Sequence, residues 1–386
     1  MSDPLIIVGS GMAGVGLARQ VRARDTRRAI TLITADSGDE YSKPLLSTGF
    51  AKHLPPARLA MRSPLEVAEA LSAVVRTHTR VEAIDPRERT LGIGAERLAY
   101  GDLVLATGAA PSVPFTWDAA LHDRVFTIND LDDYRGFHAA LSRLGPGARV
   151  VIVGAGLVGC EFANDLLAGG HRVALVAPEA APLARLLPPA LGRVLGGAMH
   201  DAGIDMRLGR TVANLQRDGE AVALTLDDGD ILPADLVLIA TGLMPRTELA
   251  DAAGLETSTA GIQTDRYLAT SAPRIHALGD CACVAGLNAM YVQPLQASAK
   301  ALAATLTGTP TPVAYGAWPV VVKTPLCPVV ALPPRQSPAR WRIEGDGSDF
   351  SAFAEDEAGR LLGFALTGGC VRRKVELARA APPLLP

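Results

Sequence analysis

Leu5-Ile6-Ile7-Val8 runs directly into Gly9-Ser10-Gly11-Met12-Ala13-Gly14, and a helical apolar pattern follows from Val15 to Arg24. A short apolar strand, a G-x-G-x-x-G turn and a helix, in that order, make a dinucleotide-binding fingerprint. The glycines allow a tight turn, close backbone approach to a pyrophosphate, and close packing of helix on sheet. The helix N-terminus adds unpaired N–H groups and a positive dipole end. Alone the string is a weak signal, so its meaning depends on the rest of the chain.

Outward from this turn, Ile30-Thr31-Leu32-Ile33-Thr34 alternates as a second strand, with Ala35 and Asp36 at its end. An acid about 20 residues beyond the glycines hydrogen-bonds an adenosine ribose in such a fold; the alternative is a solvated turn aspartate. Tyr41-Ser42-Lys43-Pro44-Leu45-Leu46-Ser47 is a polar–aromatic turn opening an apolar segment. Short strands are expected at 81–85 and 89–94. Leu103 to Ala106 is another apolar strand, closing on Thr107-Gly108.

The same grammar then repeats. Val150-Val151-Ile152-Val153 precedes Gly154-Ala155-Gly156-Leu157-Val158-Gly159, and Leu236 to Ala240 ends in Thr241-Gly242. Two dinucleotide folds therefore occupy one chain, joined by an interval, 109–147, rich in proline, glycine and polar turns. A later strand ends in Leu278-Gly279-Asp280, and an alanine-rich helix follows from Gln293 to Leu306. Beyond a Thr/Pro/Gly linker at 307–312, strands dominate up to a short basic helix, Val371 to Ala380. The expected fold class is α/β: two Rossmann-like domains plus a small α+β C-terminal domain.

Composition narrows the function. The 386 residues are 48% hydrophobic and 20% charged with a net charge of −3, which suits a globular protein and provides no basic field for nucleic acid. No basic leader precedes the first apolar run, and no apolar stretch is long enough to cross a bilayer, so membrane insertion is not expected. The five cysteines, Cys160, Cys281, Cys283, Cys327 and Cys370, have no zinc or thioredoxin spacing and suit a reducing cytoplasm without disulfides. No metal site is expected.

Two dinucleotides in one chain point to a tightly held FAD and an exchangeable nicotinamide, since two nicotinamides would have no chemistry to do. The strand Arg172 to Val176 ends in Ala177-Pro178-Glu179. Glu179 is a late candidate for the second ribose, and no arginine directly follows to receive a 2′-phosphate, which favours NADH over NADPH.

The paired glycine turns, the Ala-Thr-Gly strand ends at 106–108 and 240–242, and Leu278-Gly279-Asp280 together resemble the pyridine-nucleotide-dependent FAD reductases of glutathione-reductase type. The resemblance covers nearly the whole chain. It implies a discontinuous FAD domain (1–112 and 243–312), an inserted NAD domain (113–242) and a C-terminal domain (313–386). By resemblance, Gly9, Ser10, Gly11, Met12, Ala13 and Gly14 hold the FAD pyrophosphate. Thr34, Ala35 and Asp36 lie at the adenosine ribose, Val81 at the adenine, and Thr107 and Gly108 beside the cofactor. Asp280 meets the ribityl–pyrophosphate stretch, and Val292 starts a helix aimed at the flavin N1–O2 edge. Gly154, Gly156, Gly159, Glu161, Glu179 and Gly242 serve NADH. Lys43, beside flavin N5, is expected to pair with Glu161, these two being the catalytic candidates. The alternatives are a surface lysine and an acid favoured by a helix dipole.

No cysteine precedes Cys160, which excludes the early redox-active cysteines of disulfide reductases and of the NADH peroxidase branch. The segment Trp318-Pro319-Val320-Val321-Val322-Lys323-Thr324-Pro325 resembles the members of this family that reduce rubredoxin or flavorubredoxin, with Lys323 approaching the flavin. That implies NADH-driven, one-electron reduction of rubredoxin or a similar small acidic iron–sulfur carrier, ferredoxin being another candidate. Arg372-Arg373-Lys374, Arg379, Arg335, Arg340 and Arg342 form a candidate basic docking rim, or else merely a solvated basic surface. A different class of function, an NAD-responsive redox-sensing flavoprotein with little turnover, also fits these motifs.

Overall fold

The computed structural model describes residues 3–386. Its first sheet contains β1 (Leu5–Val8), β2 (Ile30–Ile33), β3 (Val74–Arg76), β4 (Asp102–Leu105) and β10 (Ile275–Ala277), ordered β10-β4-β1-β2-β3 and parallel throughout. The second contains β5 (Val125–Thr127), β6 (Arg149–Val153), β7 (Arg172–Ala177), β8 (Asp205–Leu208) and β9 (Leu236–Ile239), ordered β5-β9-β6-β7-β8 and again parallel. In each sheet the fingerprint strand lies between its Thr-Gly strand and the next βαβ strand. All four residues of β1, β4 and β9 are buried, as expected for parallel strands covered on both faces, which read as apolar runs rather than alternations. Since β10 returns after the second sheet is complete, the first fold is discontinuous and the second is inserted within it.

Helix α1 (Met12–Arg22) follows the first glycine turn and buries Ala13, Val15, Leu17, Ala18 and Val21. Helix α3 (Leu157–Ala168) follows the second turn and is nearly apolar all round. Two short strands, Ala109–Pro111 and Leu243–Pro245, pair antiparallel where the chain passes between the folds. The interval expected to be a turn-rich connection is more ordered than that. It contributes β5 to the second sheet, and it carries helix α2 (Leu131–Leu144), capped by the Asp130 carboxylate, which accepts from the Asp133 amide at 2.8 Å. Leu131, Tyr134, Phe137, Ala140 and Leu141 form its buried face. Their three-to-four-residue spacing was the available signal, and the polar residues between them obscured it. A three-stranded meander, Val212–Asp218, Ala221–Leu226 and Ile231–Ala234, covers one side of the second sheet.

The C-terminal sheet is antiparallel, ordered β11 (Val320–Val322), β12 (Val329–Leu332), β15 (Leu361–Thr367), β14 (Asp349–Glu355) and β13 (Arg340–Asp346). Strand alternation divides its faces. Val329, Ala331, Ala352 and Ala365 join the core of the second fold. Val330, Leu332, Phe353 and Phe364 pack with Leu377 of α5 (Lys374–Ala380). The expected helix from Val371 begins as a 3-10 turn, Gly368–Arg373, and becomes α-helical only at Lys374. Leu46, Phe50 and Leu59, from an excursion of the first fold, also enter the core of the second fold. That excursion carries Lys43. Among the described residues no helix is long and apolar enough to cross a membrane.

Candidate active site

The two glycine turns have nearly the same geometry. Gly9 has φ +115° and Gly154 φ +116°. A Cβ at Gly9 would meet the Ala106 carbonyl oxygen at 2.1 Å, and one at Gly154 would meet that of Ala240 at 2.4 Å. A Cβ at Gly14 or Gly159 would lie 1.9 Å from the carbonyl oxygen of the first glycine of its own turn. These glycines are demanded by backbone-on-backbone packing. Gly11 and Gly156 differ: a Cβ there meets nothing within 4 Å. Fold packing does not require glycine at either, whereas a pyrophosphate lying on the turn does.

Helix termini point the same way. Gly11, Gly156 and Tyr291 cap α1, α3 and α4 (Val292–Leu306) without a side-chain hydrogen bond, and none of these helices carries an acid in its first turn. By contrast, α2 is capped by Asp130 and the helix Pro64–Leu71 by Ser63. Exposed N–H groups with no competing carboxylate suit anionic ligands. Gly279, just before Asp280, packs against α1, where a Cβ would meet that of Ala13 at 2.9 Å. Asp280 is thereby fixed beside the first glycine turn, and among the described residues its carboxylate makes no hydrogen bond. It can accept from hydroxyls, as a ribityl chain requires. The residues thus fit an FAD at the first turn and a second dinucleotide at the other.

Lys43 begins a 3-10 segment, Lys43–Thr48, that departs from helical geometry at Ser47. Its ammonium donates to Asn129 Oδ1 at 2.6 Å. Burial pushes the Lys43 pKa down, Asp280 opposes that shift, and Arg246 adds to it. Burial likewise raises the Asp280 carboxyl above 3.8, with Lys43 pulling it back. The folded state therefore holds that proton more tightly than the unfolded chain does. The resulting penalty is absent well below pH 3.8 and grows as pH rises through the folded pKa. Asp280→Asn is expected to stabilise the flavin-free protein at pH 7 by about 1 kcal/mol, to lose that advantage near pH 3.5, and to weaken FAD binding. Urea melts at the two pH values and flavin titration test this. A variant less stable at pH 7 that retains flavin fully would contradict it.

The expected Lys43–Glu161 pair does not form. Glu161, 3% exposed, pairs with the Lys323 ammonium and accepts from the Lys323 backbone amide at 3.0 Å and from the Ser47 hydroxyl at 2.7 Å. Its oxygens are thus committed to Lys323 and Ser47, while the Lys43 ammonium goes to Asn129. The adjoining turn of α3 continues this grip. Asn164 Oδ1 accepts from the Leu326 amide at 3.3 Å, and Asp165 accepts from the Phe50 and Ala51 amides at 3.1 and 2.9 Å. One helix therefore holds both the Lys43 segment and the Lys323 segment. Sequence reading selected Glu161 and Lys323 separately and missed Ser47, Asn129, Asn164 and Asp165.

At the other end of the first site, Asp36 Oδ1 accepts from the Thr34 hydroxyl (2.6 Å) and the Gly38 amide (2.9 Å). Oδ2 has no hydrogen bond among the described residues. Ala35 is exposed and Val81 buried. Thr107 Oγ1 donates to the Arg246 carbonyl at 3.2 Å, and Gly108 and Gly242 have positive φ. Glu179 is exposed beyond β7. The Arg210 amide donates to the Ala177 carbonyl at 2.9 Å, bringing an arginine to this strand end that sequence order did not reveal, and Asp228 holds its guanidinium at 2.5 Å.

Much of the basic rim is internally engaged. Arg340 and Arg342 pair with Glu355, Arg373 with Glu376, and Arg335 donates to the Leu384 carbonyl. Lys374 and Arg379 lie on α5, against the C-terminal sheet face opposite the one that joins the second fold. All five cysteines are free, four of them buried, and no cluster able to hold a metal occurs among the described residues.

Comparison with known proteins matches residues 3–304 to the family model described as pyridine nucleotide-disulphide oxidoreductase, and residues 312–381 to that of the rubredoxin binding C-terminal domain. The chain is 43% identical to a rubredoxin-NAD(+) reductase of Alcanivorax borkumensis over 99% of its own length and 100% of the relative's. It is 37% identical to a nitric oxide reductase FlRd-NAD(+) reductase of Aeromonas salmonicida, covering 99% and 97% of the two chains. Among solved structures, the reductase in the covalent putidaredoxin reductase–putidaredoxin complex matches with a TM-score of 0.88 and 27% identity, over 98% of this chain and 94% of that one. The expectation from the paired glycine turns is met over the full length: the chain belongs to the pyridine nucleotide-disulphide oxidoreductase family.

Proposed function

We propose that this protein is an NADH-dependent flavoenzyme that passes electrons singly to rubredoxin. The observation that carries the reading is the full-length likeness to a rubredoxin-NAD(+) reductase together with the match to a rubredoxin binding domain at residues 312–381. FAD supplies the conversion between a two-electron donor and a one-electron acceptor. The chain's own residues bind and orient. Gly9 to Gly14 and the start of α1 cradle the FAD pyrophosphate, with Thr34, Ala35 and Asp36 at the ribose, Val81 at the adenine, Thr107 and Gly108 alongside, and Asp280 on the ribityl hydroxyls. Val292, opening α4, presents N–H groups to the flavin pyrimidine edge, where negative charge grows on reduction. Gly154, Gly156, Gly159, Glu179 and Gly242 serve NADH.

Lys43 places a positive charge beside the flavin, and Glu161 with Lys323 shapes the nicotinamide side of the site. In this reading the FAD domain spans 1–112 and 243–312, the NAD domain 113–242 and the carrier-docking domain 313–386. The segment Lys43–Thr48 contains no cysteine, which argues against disulfide chemistry, and five free thiols suit a reducing cytoplasm. The close variant is reduction of flavorubredoxin or a ferredoxin, favoured by the likeness to the FlRd-NAD(+) reductase and to putidaredoxin reductase.

The test is anaerobic mixing of NADH-reduced enzyme with each carrier in turn. Rubredoxin is expected to be reduced at least roughly tenfold faster than ferredoxin, a preference of about 1.4 kcal/mol. Faster reduction of ferredoxin would reassign the acceptor. A reduced flavin that no carrier reoxidises would favour a redox sensor.

A further inference from the structure

Asn129 belongs to neither glycine turn, yet it is the hydrogen-bond partner of Lys43. It lies between β5 and α2, on the nicotinamide-side fold, and is 5% exposed. Its side-chain Nδ2 donates to the Ala109 carbonyl at 2.9 Å, and its backbone amide donates to Asp133 Oδ2 at 2.9 Å. With the amide nitrogen anchored on a carbonyl, Oδ1 must face the other way, where it accepts from the Lys43 ammonium at 2.6 Å. An ammonium offers only donors, and an amide oxygen is a neutral acceptor.

The neutrality matters because acids surround this lysine. Asp280 on the β10 turn and Asp130 and Asp133 at the start of α2 all act on it, opposed by Arg246 after the strand Leu243–Pro245. A carboxylate in place of Asn129 would still offer Lys43 an acceptor, but it would lose the donor to the Ala109 carbonyl and offset the lysine's charge. An apolar residue would leave the charge but release the ammonium.

Resting on the assignment of Lys43 to the flavin edge, we infer that Asn129 is a positioning residue, a neutral anchor that fixes the Lys43 ammonium in place without adding a further negative charge beside it. Because Asn129 lies on the second fold and Lys43 on the first, the same bond sets the placement of that charge relative to the nicotinamide-side fold. Asn129 would thus act on the flavin through Lys43.

The experiment compares Asn129→Asp, Asn129→Ala and Asn129→Ser holoenzymes with wild type and with Lys43→Met. Three readouts are used: the equilibrium flavin potential from an anaerobic spectroscopic titration, the pH profile of that potential, and the rate of flavin reduction by NADH. Asn129→Asp is expected to lower the potential toward that of Lys43→Met and to move the Lys43-linked inflection to higher pH. Asn129→Ala is expected to slow flavin reduction roughly tenfold or more, the loss expected when one hydrogen bond to a charged group is removed. Asn129→Ser, which retains an acceptor, is expected to recover part of that rate. In a Lys43→Met background, Asn129→Ala is expected to leave the potential and the rate of flavin reduction at the Lys43→Met values.

Wild-type potentials and pH profiles in all three Asn129 variants, while Lys43→Met shifts both, would overturn the inference and leave the Lys43 assignment standing. An unchanged potential in Lys43→Met would instead remove Lys43 from the flavin edge. Loss of folded, flavin-containing protein in every Asn129 variant would assign the residue to the fold and also overturn the inference.

Discussion

Gly14→Val is expected to yield no folded, yellow protein, whereas Gly11→Ala is expected to yield folded protein with little bound FAD. The contrast follows from what each new side chain would meet. A Cβ at Gly14 lies 1.9 Å from the Gly9 carbonyl oxygen and 3.3 Å from the Ile7 side chain. Relief requires α1 to move off β1, opening a core that includes Ile7, Val15 and Leu17. Such overpacking against backbone belongs with the largest single-site effects, on the order of 4 kcal/mol or more. At Gly11 nothing lies within 4 Å and φ is an ordinary −66°, so alanine is sterically acceptable to the fold. The same pair of substitutions in the second copy separates the cofactors. Gly156→Ala is expected to retain FAD and raise the KM for NADH roughly tenfold or more. Flavin stoichiometry, thermal melting and NADH kinetics check all three. Full FAD occupancy in Gly11→Ala would contradict the close approach of a pyrophosphate to this turn.

Lys323→Met is expected to destabilise the holoenzyme more than Glu161→Gln does, despite removing the more exposed member of the pair. The side chain of Glu161 is 3% exposed and that of Lys323 31%. Removing the lysine leaves a buried carboxylate supported only by the Ser47 hydroxyl and a backbone amide. Removing one partner of a buried pair costs about 3–5 kcal/mol. Glu161→Gln keeps an acceptor for Ser47 and leaves an ammonium that water can reach, a loss of about 1 kcal/mol. Urea unfolding of the two variants measures this. Equal losses in the two variants would show that the pair is not the joint between α3 and the C-terminal sheet.

How far the site was legible depended on the range of each interaction. The glycine turns, the Thr-Gly strand ends and Asp280 were readable because each motif is a string of a few residues whose backbone geometry is locally dictated. Helix α2 escaped because its buried residues are interleaved with Asp132, Asp133, Arg135 and Gly136, which weaken the apolar period. The partner of Lys43 escaped for a different reason. Lys43 and Asn129 are 86 positions apart, and Glu161 and Lys323 are 162 apart. Each of these four is individually conspicuous or unremarkable without any sign of which one meets which. A lysine and a glutamate that the family resemblance assigned to one site suggested the wrong pair, since charge alone does not say where a side chain points.

The sequence by itself determined two dinucleotide folds in a fixed order, the glycines of their two phosphate-binding turns, the absence of an early redox cysteine, and a C-terminal string with a lysine after three valines. Those are local properties of composition and spacing. Only the tertiary structure decided that Glu161 belongs to Lys323 and Lys43 to Asn129, because α3 holds the turn after β11 while the connection between β5 and α2 brings Asn129 to the Lys43 ammonium. Pairing is set by how separate elements pack, and packing of the Lys43 excursion onto the second fold is a collective result of cores that no short stretch of chain encodes.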